Sequence, residues 1–251
     1  MKNKLYLIAA ASCGLFTAGI SMADESTTID LSYSSDYVFR GIQFGEDTIH
    51  PSIEVAIDDL YIGVWGALSQ TNKGWPNSYE DEYDFYIGQS YALNESVVVD
   101  GGVTLYTYED SDESLELYLG ASKELNGLTG SAYVYYDFDL ETTTLEFSGS
   151  HSYALTDAIN VDFGVYFGTV FSGEEYSDDG LVLIEDDYSY YGADIVIPFE
   201  VSESLTVSAG LHYADHDSDA KHEAVDSKGG KTFWAQTDSH SFFSLSATYG
   251  F

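Results

Sequence analysis

Ten carboxylates share one setting in this chain: Asp30, Asp36, Glu54, Glu82, Asp84, Asp100, Glu116, Glu146, Asp162 and Asp194. Each stands on the polar side of a stretch in which apolar and polar residues alternate, and Asp137 joins them. Alternate side chains of an extended chain leave on opposite faces. The polar sides therefore collect these acids on one surface. Cations are scarce there: Arg40, the only arginine of the chain, and His212 when protonated. Rings of carboxylates favour cations, whereas rings of Arg or Lys favour anions. The expected chemistry is electrostatic selection of solutes, not bond making. The same acids would also serve simply to solvate a wet surface. Two roles are open to Arg40. It can pair with carboxylates such as Asp36 or Glu54 and relieve their repulsion, which a planar, permanently charged fork does better than lysine. It can instead touch solute at a constriction. Tyr61, Trp65, Tyr86, Tyr106, Tyr118, Tyr133, Tyr135 and Tyr166 are interleaved on the same surface. They can fill space or hold a sugar or nucleoside ring.

Other chemistries find little support. A nucleophilic serine needs a neighbouring base. The one strand histidine on an apolar face, His151, has Gly149 and Tyr153 beside it, while Ser148, Ser150 and Ser152 face the other way. No Gly-x-Ser-x-Gly elbow occurs, and no enzyme activity is expected. His212, His216 and His222 lie among Asp215, Asp217, Asp219 and Glu223, but their spacing is a weak zinc signal. The stretch 173–180 lacks the ordered ligand spacing of an EF-hand. Neither a metal nor another cofactor is expected. Eight Lys and Arg against 43 Asp and Glu exclude nucleic acid as a partner, since few cations can displace phosphate counterions.

The elements that carry these residues read as strands. Period two runs through Ile29-Leu31-Tyr33, Ile53-Val55-Ile57, Leu60-Ile62-Val64, Tyr83-Phe85-Ile87, Val97-Val99-Val103, Leu115-Leu117-Leu119, Ala132-Val134-Tyr136, Leu145-Phe147, Val161-Phe163-Val165, Ala193-Ile195-Ile197, Leu205-Val207-Ala209 and Phe243-Leu245-Ala247. These are twelve stretches with one apolar and one polar face. Tight turns are expected at Asp58-Asp59, 94–96, 124–127, 156–158 and 200–204. Longer acidic loops alternate with them at 42–48, 71–81, 109–114, 172–186 and 215–238, with a short connection at 139–142. An even number of antiparallel strands, with short turns at one end and long loops at the other, describes an outer-membrane barrel. A soluble β-sandwich is the alternative, with the apolar faces as its core. Residues 1–23 read as a secretory signal peptide: Lys2 and Lys4, an apolar run, then Ser21-Met22-Ala23. Residues 24–251 would form one domain. Losing two lysines takes its net charge from −35 to −37, and losing Cys13 removes all thiol chemistry.

Aromatics on the apolar faces gather near strand ends: Tyr91, Tyr153, Phe199 and Tyr249 by the short turns, and Tyr37, Phe39, Tyr136, Phe138 and Tyr213 by the long loops. Two such girdles mark membrane interfaces. The ending Phe243-x-Leu245-x-Ala247-x-Tyr249-x-Phe251 resembles the signal read by the bacterial barrel-assembly machinery. The segment Ser35-Asp36-Tyr37-Val38-Phe39-Arg40-Gly41-Ile42, with Gly63-Val64-Trp65-Gly66, resembles the TorF family of porins. That resemblance implies an all-β, transmembrane, up-and-down barrel of about 12 strands, with short periplasmic turns and acidic extracellular loops. It implies a transport role and carries over no catalytic residues. The expected function is passive diffusion of small solutes through an outer-membrane pore, with cations preferred. The alternative is a non-conducting structural or adhesion barrel that works through its loops. Expected partners are outer-membrane lipid, lipopolysaccharide, the assembly machinery and small solutes or cations. The 215–238 loop gathers Lys221, Lys228, Lys231 and Trp234 and would fold inward or meet a partner.

Overall fold

The structure, a computed structural model, describes residues 25–70, 81–109, 112–156, 159–171, 187–217, 221–225, 231–235 and 239–251, with backbone alone for 221–225 and 231–235. The expected signal segment 1–23, residues 71–80 of the 71–81 loop, residues 157–158 of the 156–158 turn and the whole 172–186 loop lie outside the described residues.

Alternating sequences without helix signals fold here into strands that find partners on both edges. Twelve strands close into one antiparallel barrel: β1 (Glu25–Phe39), β2 (Ile42–Ile57), β3 (Leu60–Ser69), β4 (Glu82–Asn94), β5 (Val97–Tyr108), β6 (Ser114–Leu125), β7 (Leu128–Asp137), β8 (Thr142–Thr156), β9 (Ile159–Phe171), β10 (Tyr188–Glu200), β11 (Leu205–His216) and β14 (Ser239–Gly250). Between the last two, β12 (Lys221–Val225) and β13 (Lys231–Ala235) form a separate two-stranded sheet. Each barrel strand pairs with its neighbours in sequence, apart from β11 with β14 and the seam of β1 with β14. The seam runs from Thr28↔Gly250 to Ser34↔Ser244. It is clasped at its end by Thr27 N–H to Phe251 O at 2.9 Å and Phe251 N–H to Thr27 O at 3.0 Å.

Polarity is inverted relative to a water-soluble protein. Leu119, Val165 and Leu211 are 56%, 59% and 65% exposed, while Glu116 and Glu146 are 2% and 3% exposed. An apolar belt around a closed hydrogen-bonded wall is the arrangement hydrocarbon demands, because a lipid-facing open edge would strand backbone polar groups at several kcal/mol each. The two girdles are present at Tyr91, Tyr153, Phe199 and Tyr249 and at Tyr136, Phe138 and Tyr213, all exposed on the outer surface.

Inside, tyrosine rings lie on glycines of adjacent strands. A Cβ at Gly63 would collide with Tyr86, at Gly102 with Tyr118, at Gly120 with Tyr133, at Gly168 with Tyr190 and at Gly192 with Tyr166. Gly88 sits beneath both Tyr61 and Tyr118. Glycine on the inner face thus lets the ring lie flat on the wall.

Short connections cluster at the end that carries both termini: Asp58-Asp59, Glu95-Ser96, Asn126-Gly127 and 201–204. Asn126 (φ 56°) and Gly127 (φ 80°) form a two-residue turn with both centres left-handed, the twist that suits a hairpin. At the other end the first connection departs from expectation. Residues 42–48 are not a loop; they open β2. The turn is Arg40-Gly41, again with both φ positive, at 50° and 83°. The ladder keeps one register from Ser34↔Thr48 through Asp36↔Glu46 and Tyr37↔Gly45, with a left-handed residue, Asp47 (φ 47°), inside it, and the register shifts once, between Tyr37 and Val38. Such irregularities bend a strand and flip the faces beyond them. Tyr37 and Phe39 therefore leave the lipid girdle and turn inward. Tyr37 is 5% exposed and packs against Trp65 and His50, with centroids 5.6 and 5.5 Å apart. Phe39 lies 6.1 Å from Tyr106.

Candidate functional site

The bent β1–β2 hairpin carries its tip across the lumen. Gly41 reaches β10 and β11: a Cβ there would meet Tyr190 Cβ at 2.9 Å and His216 Cβ at 3.0 Å. Ile42, 1% exposed, packs with Val170, Tyr188 and Tyr190 on β9 and β10. Arg40 reaches β6, where Nη1 donates to Glu116 Oε2 at 2.8 Å. Its guanidinium carbon stands 4.7 Å from the Phe39 ring centroid and 4.8 Å from that of Tyr135 on β7. The tip thus spans the space between opposite walls. This corrects the expected partners of Arg40: it pairs with Glu116, and neither Asp36 nor Glu54 is its partner in an ion pair. Sequence parity gives the face of a side chain but not its height or reach.

Around the tip, in the long-loop half, lies a belt of buried carboxylates: Glu82 and Asp84 on β4, Glu116 on β6, Asp137 on β7 and Glu146 on β8. Hydroxyls hold most of them. Glu82 accepts from Tyr37 Oη at 2.7 Å, Glu116 from Tyr106 Oη at 3.0 Å and Glu146 from Tyr190 Oη at 2.7 Å. Asp137 accepts from Ser114 Oγ and from the N–H groups of Asp139 and Leu140 at 2.9 and 2.8 Å. Asp84 Oδ1 is enclosed without a hydrogen-bond partner. Among the described residues Arg40 is the one Lys or Arg turned into this lumen; Lys123 is exposed on the outer face.

The remaining predicted acids lie elsewhere. Asp100 accepts from Tyr61 Oη at 3.0 Å and Ser90 Oγ at 2.6 Å, and Glu54 from Tyr86 Oη at 3.1 Å. With the Tyr61–Tyr118 hydroxyl pair they form a second, tyrosine-rich layer toward the short-turn end. Asp30 accepts from Thr248 Oγ1 at 2.6 Å across the seam. Asp162 is half-buried on β9, level with Ser152 and Val196 of the neighbouring strands. Asp36 stands on the hairpin itself and accepts from Gln43 Nε2 and from Ser35 Oγ at 3.1 Å.

His212 joins a chain of polar groups: Nδ1 lies 2.6 Å from Asp194 Oδ1 and Nε2 lies 2.8 Å from Ser244 Oγ. The order resembles an acid–base–nucleophile relay. Ser244, however, is 2% exposed and sits mid-strand between β1 and β11. There the backbone N–H groups serve the ladder, so none is free to stabilise an oxyanion. The group ties three strands together. His50 and His240 are further buried inner histidines that the sequence reading did not single out, and His216, considered there only as a zinc ligand, is buried beside them on the inner face. Ser34 Oγ lies 2.9 Å from His50 Nε2, whose ring stacks on Trp65 at 5.0 Å. Extending the β2 alternation back from Ile53 through Pro51 to Ile49 would have placed His50 on the inner face. His151 is outward, with Nδ1 2.8 Å from Gly127 O. Among the described residues no group of three or more His, Cys, Asp or Glu is arranged to hold a metal. The first hairpin crosses the lumen; the 215–238 loop, expected to fold inward or to meet a partner, contributes the β12–β13 ribbon, and its side chains beyond Asp217 lie outside the described residues.

The family model described as "Bacterial protein of unknown function (Gcw_chp)" matches residues 20–249. No curated protein matches the chain in sequence. Among solved structures, the chain is similar to the KdgM porin, with a TM-score of 0.55 at 8% identity over 89% of this chain and 99% of that one. It is similar also to the NanC porin, with a TM-score of 0.54 at 9% identity over 89% and 98%. KdgM in complex with disordered oligogalacturonate gives 0.52 at 10% identity over 89% and 99%. At these identities the likeness is one of fold, the closed porin-type barrel.

Proposed function

We propose that this chain, which belongs to the Gcw_chp family of bacterial proteins of unknown function, is an outer-membrane porin-like channel that passes small solutes by diffusion and prefers cations. The observation that carries this reading is the acidic lining of the inner wall. Five buried carboxylates line the β4–β8 side of the long-loop half and a second acidic layer follows, against one guanidinium already paired to Glu116. In a narrow, low-dielectric passage such an array concentrates cations and repels anions. The resemblance to TorF porins in 35–42 and 63–66 supports transport as the role. The oligogalacturonate named with the KdgM porin is a polyanion, and this lumen is unsuited to it. In this reading the termini and short turns face the periplasm and the long acidic connections face outward. Lipid and lipopolysaccharide surround the girdles, and Phe251 is presented to the assembly machinery. No step of the reading makes or breaks a bond.

The test is the reversal potential of single channels in a KCl gradient across a planar bilayer. Cation selectivity is expected; clear anion selectivity would overturn the proposal. The seated hairpin favours a second reading, a closed barrel that works through its outer loops. Absence of conductance, both in the wild type and after removal of the hairpin tip, would establish that one instead.

A further inference from the structure

We propose that the cradle around the Arg40 guanidinium is a binding site for small solutes bearing a planar, guanidinium-type cation, and that such a solute takes the place of Arg40. The inference rests on the channel reading above and names its solute class. Arg40 itself shows what the cradle accepts. Its guanidinium stands 4.8 Å from the Tyr135 ring and pairs at 2.8 Å with Glu116 Oε2, with Glu146 buried on β8, the strand next to that of Tyr135. Aromatic faces and carboxylate edges are the two surfaces a planar cation needs. Ownership of the groups matters. Glu116, Tyr135 and Glu146 belong to β6, β7 and β8, whereas Arg40 arrives from the other side of the barrel on a turn. Withdrawing the turn leaves these walls in place.

A second observation is independent of Arg40. Asp84, on the same strand as Glu82, has its Oδ1 enclosed without a hydrogen-bond partner. A buried acceptor without a partner is costly, and one guanidinium cannot serve every carboxylate of the belt. The belt therefore keeps an acceptor for which the chain supplies no donor. Arg40 acts as a tethered competitor whose effective concentration is of millimolar order. A free guanidinium solute must reach that range to displace it, and displacement unseats the tip.

Arg40→Asn isolates the site. Asparagine tolerates the left-handed conformation, and Asn126-Gly127 already forms the same turn in this chain. The experiment titrates methylguanidinium chloride into the detergent-solubilised full chain by calorimetry, with butylammonium chloride as a cation of equal charge but compact head. Heat-modifiable gel migration confirms the folded barrel, and Arg40→Gly replaces Arg40→Asn if the latter does not fold. The expected result is binding about tenfold or more tighter in Arg40→Asn than in the wild type. Methylguanidinium should be preferred over butylammonium, and the preference should vanish when Glu116→Gln is added. Equal binding of the two cations, or no gain over the wild type, overturns the proposal. Bilayer conductance separates the two readings. A conducting channel with flat calorimetry removes the site and keeps the channel. Binding without conductance in either form keeps the site and removes the channel.

Discussion

Arg40 is the residue on which the barrel's interior turns. Its charge is buried and its partner, Glu116, is buried deeper, at 10% and 3% side-chain exposure. Removing one member of such a pair leaves an uncompensated charge and costs about 3–5 kcal/mol when nothing can relax. Here the hairpin can relax by leaving the lumen, which caps the loss. Glu116→Gln is thus expected to cost less than that range in urea unfolding while raising single-channel conductance. A full-range loss without a conductance change would mean that the tip stays seated. The glycines under the tyrosines test packing apart from charge. Gly120→Leu would drive a side chain into the Tyr133 ring and is expected to lower stability by about 1–3 kcal/mol, read as a lower urea midpoint. At this scale the sequence was informative about faces and silent about heights. Alternation put Glu116 and Glu146 on the inner surface, where they are buried; Arg40 reaches the lumen from a turn, outside the alternation. Alternation could not show that Arg40 crosses to Glu116, because that depends on how far the hairpin bends.

The β1–β2 hairpin is the element that period two failed to reveal. Gly45, Glu46 and Asp47 look like a polar loop, and outward Tyr37 and Phe39 look like a girdle. Both impressions assume an uninterrupted strand. The left-handed Asp47 and the register shift at Tyr37–Val38 break that assumption, and Arg-Gly is an uncommon choice for a turn that usually takes Asn-Gly. Elsewhere the elements were plain: the other ten barrel strands, β3 to β11 and β14, stand where the alternation put them. The tip's dependence on Gly41 gives a direct test. Its φ of 83° disfavours a side chain, and a Cβ there would press on Tyr190 and His216. Gly41→Val should therefore unseat the tip. Conductance is expected to rise while the heat-modifiable band of the folded barrel persists; an unchanged conductance would show that the tip is not the constriction.

For the molecule as a whole, selectivity should follow ionic strength. The Debye length falls from about 10 Å at 0.1 M to about 3 Å at 1 M, so the fixed charges of the wall are screened in concentrated salt. The ratio of K⁺ to Cl⁻ permeability is expected to decline between these conditions. A ratio independent of salt would point to contacts too close to screen. The closed barrel was legible in advance because nearly every strand carries the same two-faced pattern; the hairpin that crosses the lumen was not, because it leaves that pattern. The hairpin begins in β1, the strand that must also meet β14 to complete the wall. Its tip is enclosed by β6, β7, β9 and β10, all of which follow it in the chain. Seating the tip and zipping the seam therefore draw on the same strand at the last stage of assembly. Trp65, packed against Tyr37 and His50, gives an optical clock for the first event, and resistance to denaturing detergent gives one for the second. A common rate on both clocks would mean that the barrel locks itself as it closes.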